Sequence, residues 1–289
     1  GPGHAGEHKQ EMQDWGFVDA RETTGPSESL LTDSLYTDHL AARGLLDAHR
    51  QYFEMYLRGT RPYPWELPPT PLPTEDHLDV FIGRLAQEWI NDCDNAEPFY
   101  LQVNFGGPHD PWDAPPEYRS LYNPDDMPLS IRDQRTGPLS SHVELLLKHA
   151  PNKLNKMGVA QNQLLKANYY SKVTLIDDCV GGILQTLEER NLLDNTWIVF
   201  SSDHGEMLGD HGLLAKKVFY EGAVKVPCLF RSPNGRGQGT AQALTCHLDI
   251  VATLIDICKA RPLQDSDGQS VLPILEGDSN HSQRTAVLS

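Results

Sequence analysis

Residues 196–217 read Thr-Trp-Ile-Val-Phe-Ser-Ser-Asp-His-Gly-Glu-Met-Leu-Gly-Asp-His-Gly-Leu-Leu-Ala-Lys-Lys. The first five are β-branched or aromatic without polar alternation, which predicts a strand buried on both faces, as in parallel sheets. Asp203 and His204 follow where this strand ends, and ligands bind at that edge of open α/β sheets. Because a carboxylate oxygen beside an imidazole nitrogen suits a divalent cation, we predict a metal site here.

The residues after His204 favour a loop that folds back on itself. Gly205, Gly209 and Gly212 permit backbone conformations that other residues rarely adopt, so Lys216 or Lys217 can face the same point as the metal. A metal with an ammonium group beside it forms an anion site. Taken alone, Ser-Asp-His-Gly equally fits a turn with a helix cap, so the motif depends on its context.

A second strand is predicted over residues 99–105, and Gly106-Gly-Pro-His109 follows at its carboxyl end. The carboxyl ends of parallel strands share one edge of a sheet, so we expect His109 to lie near Asp203. The predicted fold is α/β, a mainly parallel central sheet with helices on both faces. In it, residues 99–105 and 196–202 are interior strands.

Helices are predicted from apolar residues that recur every three or four positions. One or two helices are expected between residues 29 and 57, and another begins with Thr74 as its cap. The clearest helix spans residues 161–189 and contains Asp177 and Asp178. Adjacent helix positions point about 100° apart, so these two carboxylates are interpreted as surface charges rather than a catalytic pair.

Composition limits the partners of the chain. Its 289 residues carry a formal net charge of -16, which argues against nucleic acid or an anionic membrane surface as a partner. No apolar run approaches the roughly 20 residues needed to span a membrane. An anionic substrate would need a local cationic site, which a bound metal supplies. Asn280-His-Ser282 matches an N-glycosylation sequon, which favours a secreted protein.

The segment Ser202–Lys216 resembles the metal- and sulfate-binding segment of the type I sulfatases, which belong to the alkaline phosphatase superfamily. Tyr220-Glu-Gly222 and Val224-Lys-Val-Pro227 continue the resemblance. Two further segments match in the same order, namely Gly107–Tyr118 and the helix over residues 169–187. The resemblance implies an alkaline phosphatase-like fold and a sulfuric ester hydrolase that uses a metal-assisted, formylglycine-type nucleophile.

This resemblance also implies roles for individual residues. Asp203 and His204 would hold a divalent metal, calcium most often in this family, with magnesium, manganese or zinc as alternatives. Lys216, four residues before Tyr220, would contact the sulfate oxygens. His109 would bind the sulfate or protonate the leaving alcohol.

The amino-terminal residues match the family less well. Gly1-Pro-Gly-His-Ala-Gly6 resembles a Gly-Lys-x-His-x-Gly segment that contributes to the active site, with Pro2 in place of the lysine. His4 is therefore a candidate site residue. The family's nucleophile segment and its first pair of metal-binding aspartates are not found. Residues 1–289 are thus interpreted as one partial sulfatase-type α/β domain, without the family's first roughly hundred residues and its carboxyl-terminal subdomain.

Three functions stay open at this point. The first is hydrolysis of a small-molecule or carbohydrate sulfate ester, with the nucleophile supplied from outside the sequence. A phosphonate monoester or phosphodiester hydrolase of the same superfamily would use the same retained residues. A non-catalytic protein that binds anions or carbohydrates is the third alternative. The resemblance favours a periplasmic or secreted location.

Overall fold

The computed structural model of the protein describes residues 9–25, 28–58, 64–94, 96–131, 140–148, 157–235, 238–277 and 284–287. The candidate residue His4 and the sequon at Asn280 lie outside these ranges. The chain divides into two compact units. The larger is Gly1–Glu189 with Leu208–Leu213, and the smaller is Arg190–Met207 with Leu214–Ser289.

The described part of the chain is mainly helical and contains one short sheet. In chain order, its elements are α1 (Lys9–Asp14), α2 (Leu35–Ala42), α3 (Leu46–Arg58), α4 (Leu78–Asp92), α5 (Pro116–Arg119), α6 (Ser141–Lys148), α7 (Val159–Glu189), β1 (Ile198–Ser201), α8 (Glu221–Val224), β2 (Cys228–Arg231), α9 (His247–Ile257) and α10 (Leu272–Leu275). Within the described ranges, no helix is long and apolar enough to cross a membrane.

The predicted helices between residues 29 and 57 are present as α2 and α3. Ser34 begins α2 with a capping box, in which its hydroxyl accepts from the Thr37 amide and the Thr37 hydroxyl accepts from the Ser34 amide. Gly44, at a φ of 71°, turns the chain between the two helices. Tyr36 of α2 is buried and belongs to a core cluster with Phe81 of α4.

The N-cap of helix α4 lies three residues later than predicted. Thr74–Asp76 forms a separate 3-10 turn, and the N-cap residue of α4 is His77. The Asp79 amide donates to His77 Nδ1 at 3.2 Å, so an imidazole performs the capping expected of a hydroxyl. His77 is buried, which places a titratable group at the start of this helix.

Helix α7 confirms the long helix predicted over residues 161–189 and packs against α4. A Cβ on Gly83 of α4 would lie 3.1 Å from Cys179 Cβ, so the glycine permits this close approach. Asp177 is exposed, and Asp178 accepts a hydrogen bond from the Tyr118 hydroxyl at 2.8 Å. The adjacent aspartates are therefore surface charges, as the sequence predicted.

In the smaller unit, β1 confirms most of the strand predicted over 196–202, but its neighbour is antiparallel. Ile198 pairs with Arg231 and Ser201 with Cys228 of β2. Within the described residues, β1 has a ladder partner on one side only. Its residues are half-buried or exposed, and Phe200 is 38% exposed, so the predicted burial on both faces is not found there.

The prediction that residues 99–105 form an interior strand was wrong, because this segment is not hydrogen-bonded into a sheet in the described part of the chain. The described residues give this segment no ladder partner, although its side chains alternate between half-buried and exposed as in a strand. On the exposed side, Tyr100 contacts Gln102 at 3.3 Å, and Gln102 contacts Asn104 at 3.2 Å. The local pattern is that of a strand, but pairing depends on residues distant in sequence.

Candidate functional site

Asp203 and His204 follow the end of β1 as the sequence predicted. Asp203 Oδ2 lies 3.3 Å from His204 Nε2, while Asp203 Oδ1 accepts a hydrogen bond from the His204 amide at 3.0 Å. His204 Nδ1 lies 2.8 Å from the Gly205 carbonyl, which can only accept, so the ring proton is on Nδ1. The other ring nitrogen, Nε2, faces the Asp203 carboxylate.

The chemistry of this pair fits a divalent cation. Histidines that bind metals usually donate their second ring N–H to a carbonyl or carboxylate, as His204 does to Gly205. The Asp203 side chain is 83% exposed, so its outer oxygen is accessible. No group of three or more His, Cys, Asp or Glu residues is placed to hold a metal in the described ranges. The pair can supply two donors of a larger coordination shell.

The chain after His204 returns as predicted. The Met207 amide donates to the Ala215 carbonyl at 3.1 Å, and the Ala215 amide donates to the Glu206 carboxylate at 2.5 Å. These bonds bring the residue before Lys216 back beside the residues that follow His204. Lys216 and Lys217 are both exposed.

Gly205 is required where the chain passes residues 222 and 223. Its amide donates to the Ala223 carbonyl at 2.7 Å. A Cβ at Gly205 would lie 2.2 Å from the Gly222 carbonyl oxygen, a distance no side chain can accept. The glycine after His204 thus permits the close approach of two backbone segments.

Residues 208–213 pack within the larger unit. Asp210 Oδ1 accepts from the Ile131 amide at 2.9 Å, and the His211 amide donates to the Ile131 carbonyl at 2.8 Å. Asn162 of α7 donates to the Leu208 carbonyl at 2.8 Å. Asp210 and His211 therefore fix this loop to residue 131.

His109 lies in a loop that is fixed on both sides. The Gly107 amide donates to Asp79 Oδ1 at 2.8 Å, and the Asp113 carbonyl accepts from the Thr70 amide at 2.8 Å. A Cβ at Gly107 would lie 2.7 Å from Asp79 Oδ2, so the loop touches the start of α4. His109 thus lies between two hydrogen-bonded residues, Gly107 and Asp113, which are six positions apart in the sequence.

Beneath this loop is a buried charged cluster of Lys172, Asp79, Asp113 and His77. The Lys172 ammonium lies 3.2 Å from Asp79 Oδ2, 3.1 Å from Asp113 Oδ1 and 3.2 Å from His77 Nε2. All four side chains are buried. Asp79 Oδ2 contacts the ammonium as an ion pair rather than an aligned hydrogen bond. The cluster joins α4 and α7 to both ends of the loop that contains His109.

Electrostatics keep this cluster charged. Burial alone would raise the pKa of Asp113 and Asp79, but the Lys172 ammonium and His77 lower the pKa of both carboxyls below its usual value. Burial alone would lower the pKa of Lys172, and the two carboxylates raise it. Two carboxylates and one ammonium therefore stay ionised in a buried site near neutral pH.

The His109 ring contacts its neighbour in sequence. Its Nδ1 lies 3.0 Å from Asp110 Oδ1 and 2.9 Å from the Asp110 carbonyl. The other carboxylate oxygen of Asp110 accepts from the Tyr56 hydroxyl of α3. About half of the His109 side chain is exposed, at 51%. The arrangement holds an accessible imidazole by a carboxylate that is itself held by a phenol.

The predicted site residues thus fall in both units. Asp203, His204 and Lys216 belong to the smaller unit and His109 to the larger one. Convergence of these four residues on one cleft stays a prediction. His4 lies outside the described residues.

Sequence reasoning missed the cluster around Lys172. A signal was present, because Leu165 and Cys179 lie seven residues before and after Lys172, on the same face of α7, and both are buried. A lysine on the buried face of a helix requires an anionic partner. The identity of those partners, Asp79 and Asp113, could not be read from spacing.

Comparison with known proteins gives the following matches. The family model described as Sulfatase matches residues 9–260. A choline-sulfatase of Rhizobium meliloti (strain 1021) is 31% identical over 209 residues, which cover 68% of this chain and 38% of that protein. An N-acetylglucosamine-6-sulfatase of Bos taurus is 27% identical over 215 residues, which cover 74% and 38%.

Among solved structures, a phosphonate monoester hydrolase of Agrobacterium radiobacter superposes with a TM-score of 0.71 at 25% identity. The match covers 86% of this chain and 52% of that one. The chain therefore has an alkaline phosphatase-like α/β fold, which confirms the predicted fold class. It spans 38% of the length of the two curated relatives described above.

Proposed function

The chain belongs to the sulfatase family, and from this premise we propose that the whole protein is a sulfuric ester hydrolase. The observation that supports it most is the Asp203–His204 pair, with Nε2 and a carboxylate oxygen 3.3 Å apart, followed by a loop that returns to Lys216. A sulfate ester carries negative charge on its terminal oxygens. A metal-binding pair and an ammonium group are the residue types that stabilise such charge.

Two groups outside the described residues complete the proposal. The nucleophile would be a formylglycine-type group from outside the 289 residues, as in the family that the sequence resembles. Asp203 and His204 would hold a divalent cation, for which we propose calcium before magnesium, manganese or zinc. When bound, the cation would draw charge from the sulfate oxygens.

The residues of this chain would then act on the ester as follows. Lys216 would contact a terminal sulfate oxygen and orient the sulfur for attack. As the sulfur–oxygen bond breaks, its electron pair stays on the alcohol oxygen, and His109 donates a proton there. Overall, one ester and one water give one alcohol, one sulfate and one proton. His4 is retained as a further candidate for the sulfate site.

The substrate class follows from the relatives and from charge. A choline-sulfatase and an N-acetylglucosamine-6-sulfatase are among the matches, so we propose a small-molecule or carbohydrate sulfate ester. The formal charge of -16 makes a nucleic acid an unsuitable partner.

A phosphonate monoester or phosphodiester hydrolase is the second candidate, favoured by the solved phosphonate monoester hydrolase with a TM-score of 0.71. Phosphonate and sulfate esters present similar tetrahedral oxyanions, so Asp203, His204 and Lys216 would serve either. The kcat/KM values of the whole protein for 4-nitrophenyl sulfate and 4-nitrophenyl phenylphosphonate distinguish the two. We expect a higher kcat/KM for the sulfate. A higher kcat/KM for the phosphonate would make phosphonate hydrolysis the first candidate function. Binding without turnover of either would favour the non-catalytic alternative.

A further inference from the structure

We propose that Asp110 is a positioning residue for His109, and that Tyr56 of α3 holds Asp110 in that role. The inference rests on the proposed function, because it deepens the part assigned to His109. It adds two residues from different parts of the chain, one adjacent to the histidine and one 53 positions before it.

The geometry defines which ring nitrogen does the work. Asp110 presents its carboxylate Oδ1 at 3.0 Å and its carbonyl at 2.9 Å to His109 Nδ1, and both oxygens can only accept. The ring proton therefore lies on Nδ1 in the neutral form. A proton passed to the leaving alcohol would then come from Nε2 of the imidazolium, with the ring orientation fixed through Nδ1.

Tyr56 fixes the orientation of the Asp110 carboxylate. Its hydroxyl donates to the second oxygen of Asp110, so the two carboxylate oxygens have different partners. Tyr56 is a buried member of a core cluster with Tyr52, Phe53 and Leu67, which limits its movement. The carboxylate of Asp110 is thereby connected to the core rather than free to rotate in solvent.

Charge supports the same role. Burial raises the pKa of Asp110, but the hydrogen bonds with His109 and Tyr56 more than offset this, and the pKa lies below its usual value. Asp110 therefore stays ionised and stabilises a positive charge on His109. In the proposed step the Nε2 proton moves to the alcohol oxygen while Asp110 takes no proton. The water consumed in each turnover returns one proton to the imidazole.

The test uses the whole protein with Asp110→Asn and Tyr56→Phe. Both variants keep the side-chain shape, and the Asp110 side chain is 48% exposed, so folding should be unaffected. Matched controls are Asp177→Asn, on the exposed face of α7, and Tyr52→Phe. Tyr52 lies on α3 like Tyr56, and its hydroxyl donates to the Pro68 carbonyl, outside that helix.

The decisive readout is dependence on the leaving group. With an alkyl sulfate, whose alkoxide needs a proton, Asp110→Asn should lower kcat by about tenfold or more with KM within about twofold. With 4-nitrophenyl sulfate, which leaves as a stable phenolate, the loss should be under about threefold. Tyr56→Phe should show the same pattern more weakly. Equal losses on both esters, or no loss on either, would refute the positioning role.

Two further measurements separate this inference from the proposed function. If His109→Ala loses alkyl sulfate turnover while Asp110→Asn does not, the inference fails and the role of His109 stands. Nuclear magnetic resonance of the His109 ring needs no turnover. Asp110→Asn should move its titration to lower pH by about half a unit or more, and an unchanged titration would overturn the inference.

Discussion

The Lys172 ammonium lies 3.1 Å from the Asp113 carboxylate, and both side chains are buried. Asp79, 3.2 Å from the same ammonium, also accepts the Gly107 amide. A single lysine on α7 thus forms ion pairs with two carboxylates, and these residues together anchor the loop containing His109. Lys172 should therefore contribute both to the stability of the protein and to the position of the His109 loop, and mutations can measure the two contributions separately.

Replacing Lys172 with Met should destabilise the protein by about 3–5 kcal/mol, because Asp79 and Asp113 would be left buried without a compensating charge. Urea denaturation measures the change. Lys225→Met is the control, because Lys225 is exposed and its ammonium forms a long ion pair, at 3.9 Å, with the exposed Glu221. A loss below about 1 kcal/mol for the Lys172 variant would show that the cluster does not depend on this ammonium.

Gly107→Ala should destabilise the protein by about 1–3 kcal/mol through overpacking. The new methyl group would lie 2.7 Å from Asp79 Oδ2 and 2.9 Å from Ile176 Cδ1, so the loop must move off α4 and α7. Gly181→Ala is a matched control, because a Cβ there meets nothing within 4 Å and alanine favours the helix. Similar denaturation midpoints for both variants would contradict the close packing at Gly107.

His49 should make folding stability depend on pH. Burial is the largest cause that lowers its pKa from 6.5 to about 4, and its Nε2 lies 2.8 Å from the buried Ser29 hydroxyl. Between these pH values the unfolded chain binds more protons, so stability is present above about pH 6.5 and is lost as the pH falls towards 4. From pH 7.5 to 4.5 the loss from this residue should be about 2–3 kcal/mol.

The corresponding measurement is the free energy of unfolding against pH for the natural protein and for His49→Gln. The variant should lose less stability over the same interval, since glutamine does not titrate. An identical pH dependence in both proteins would mean that His49 is protonated without cost in the folded state.

Lys216→Ala should reduce sulfate ester turnover by about 100-fold or more, whereas Lys217→Ala should leave it within about threefold. Two neighbouring side chains point in different directions, and both lysines are exposed, so only one is expected to face the substrate. Steady-state kinetics of the whole protein with one sulfate ester measures both. Small, equal losses would place the anion site elsewhere.

The sequence predicted the three longest helices, α3, α4 and α7, because their apolar periodicity is local. Helices α2, α3 and α7 lie where the pattern placed them. It failed on the cap of α4, because the imidazole of His77 replaces the hydroxyl of Thr74. It also predicted a paired strand over 99–105, where alternation is present but a ladder partner is not found in the described residues.

The residue types of the candidate site could be predicted from the sequence, but the residues that hold them in place could not. Asp203 and His204 follow β1 because a buried strand leads directly into them. The Tyr56–Asp110 contact and the Lys172 cluster join residues that are 54 to 95 positions apart. Such pairings depend on how α3, α4 and α7 pack, which no local pattern specifies.

The rate of sulfate release by the whole protein carrying Asp203→Asn tests the proposed hydrolysis most directly. Asp203 Oδ2 faces His204 Nε2 at 3.3 Å, and replacing its carboxylate with a neutral amide should weaken the binding of a cation by this pair. The control is Asp194→Asn, an exposed aspartate 3.3 Å from Arg231 in the same unit. We predict a loss of about 100-fold or more for Asp203→Asn and less than about twofold for the control. Sulfate release within about threefold of the natural protein in Asp203→Asn would contradict a metal-assisted hydrolysis at this pair.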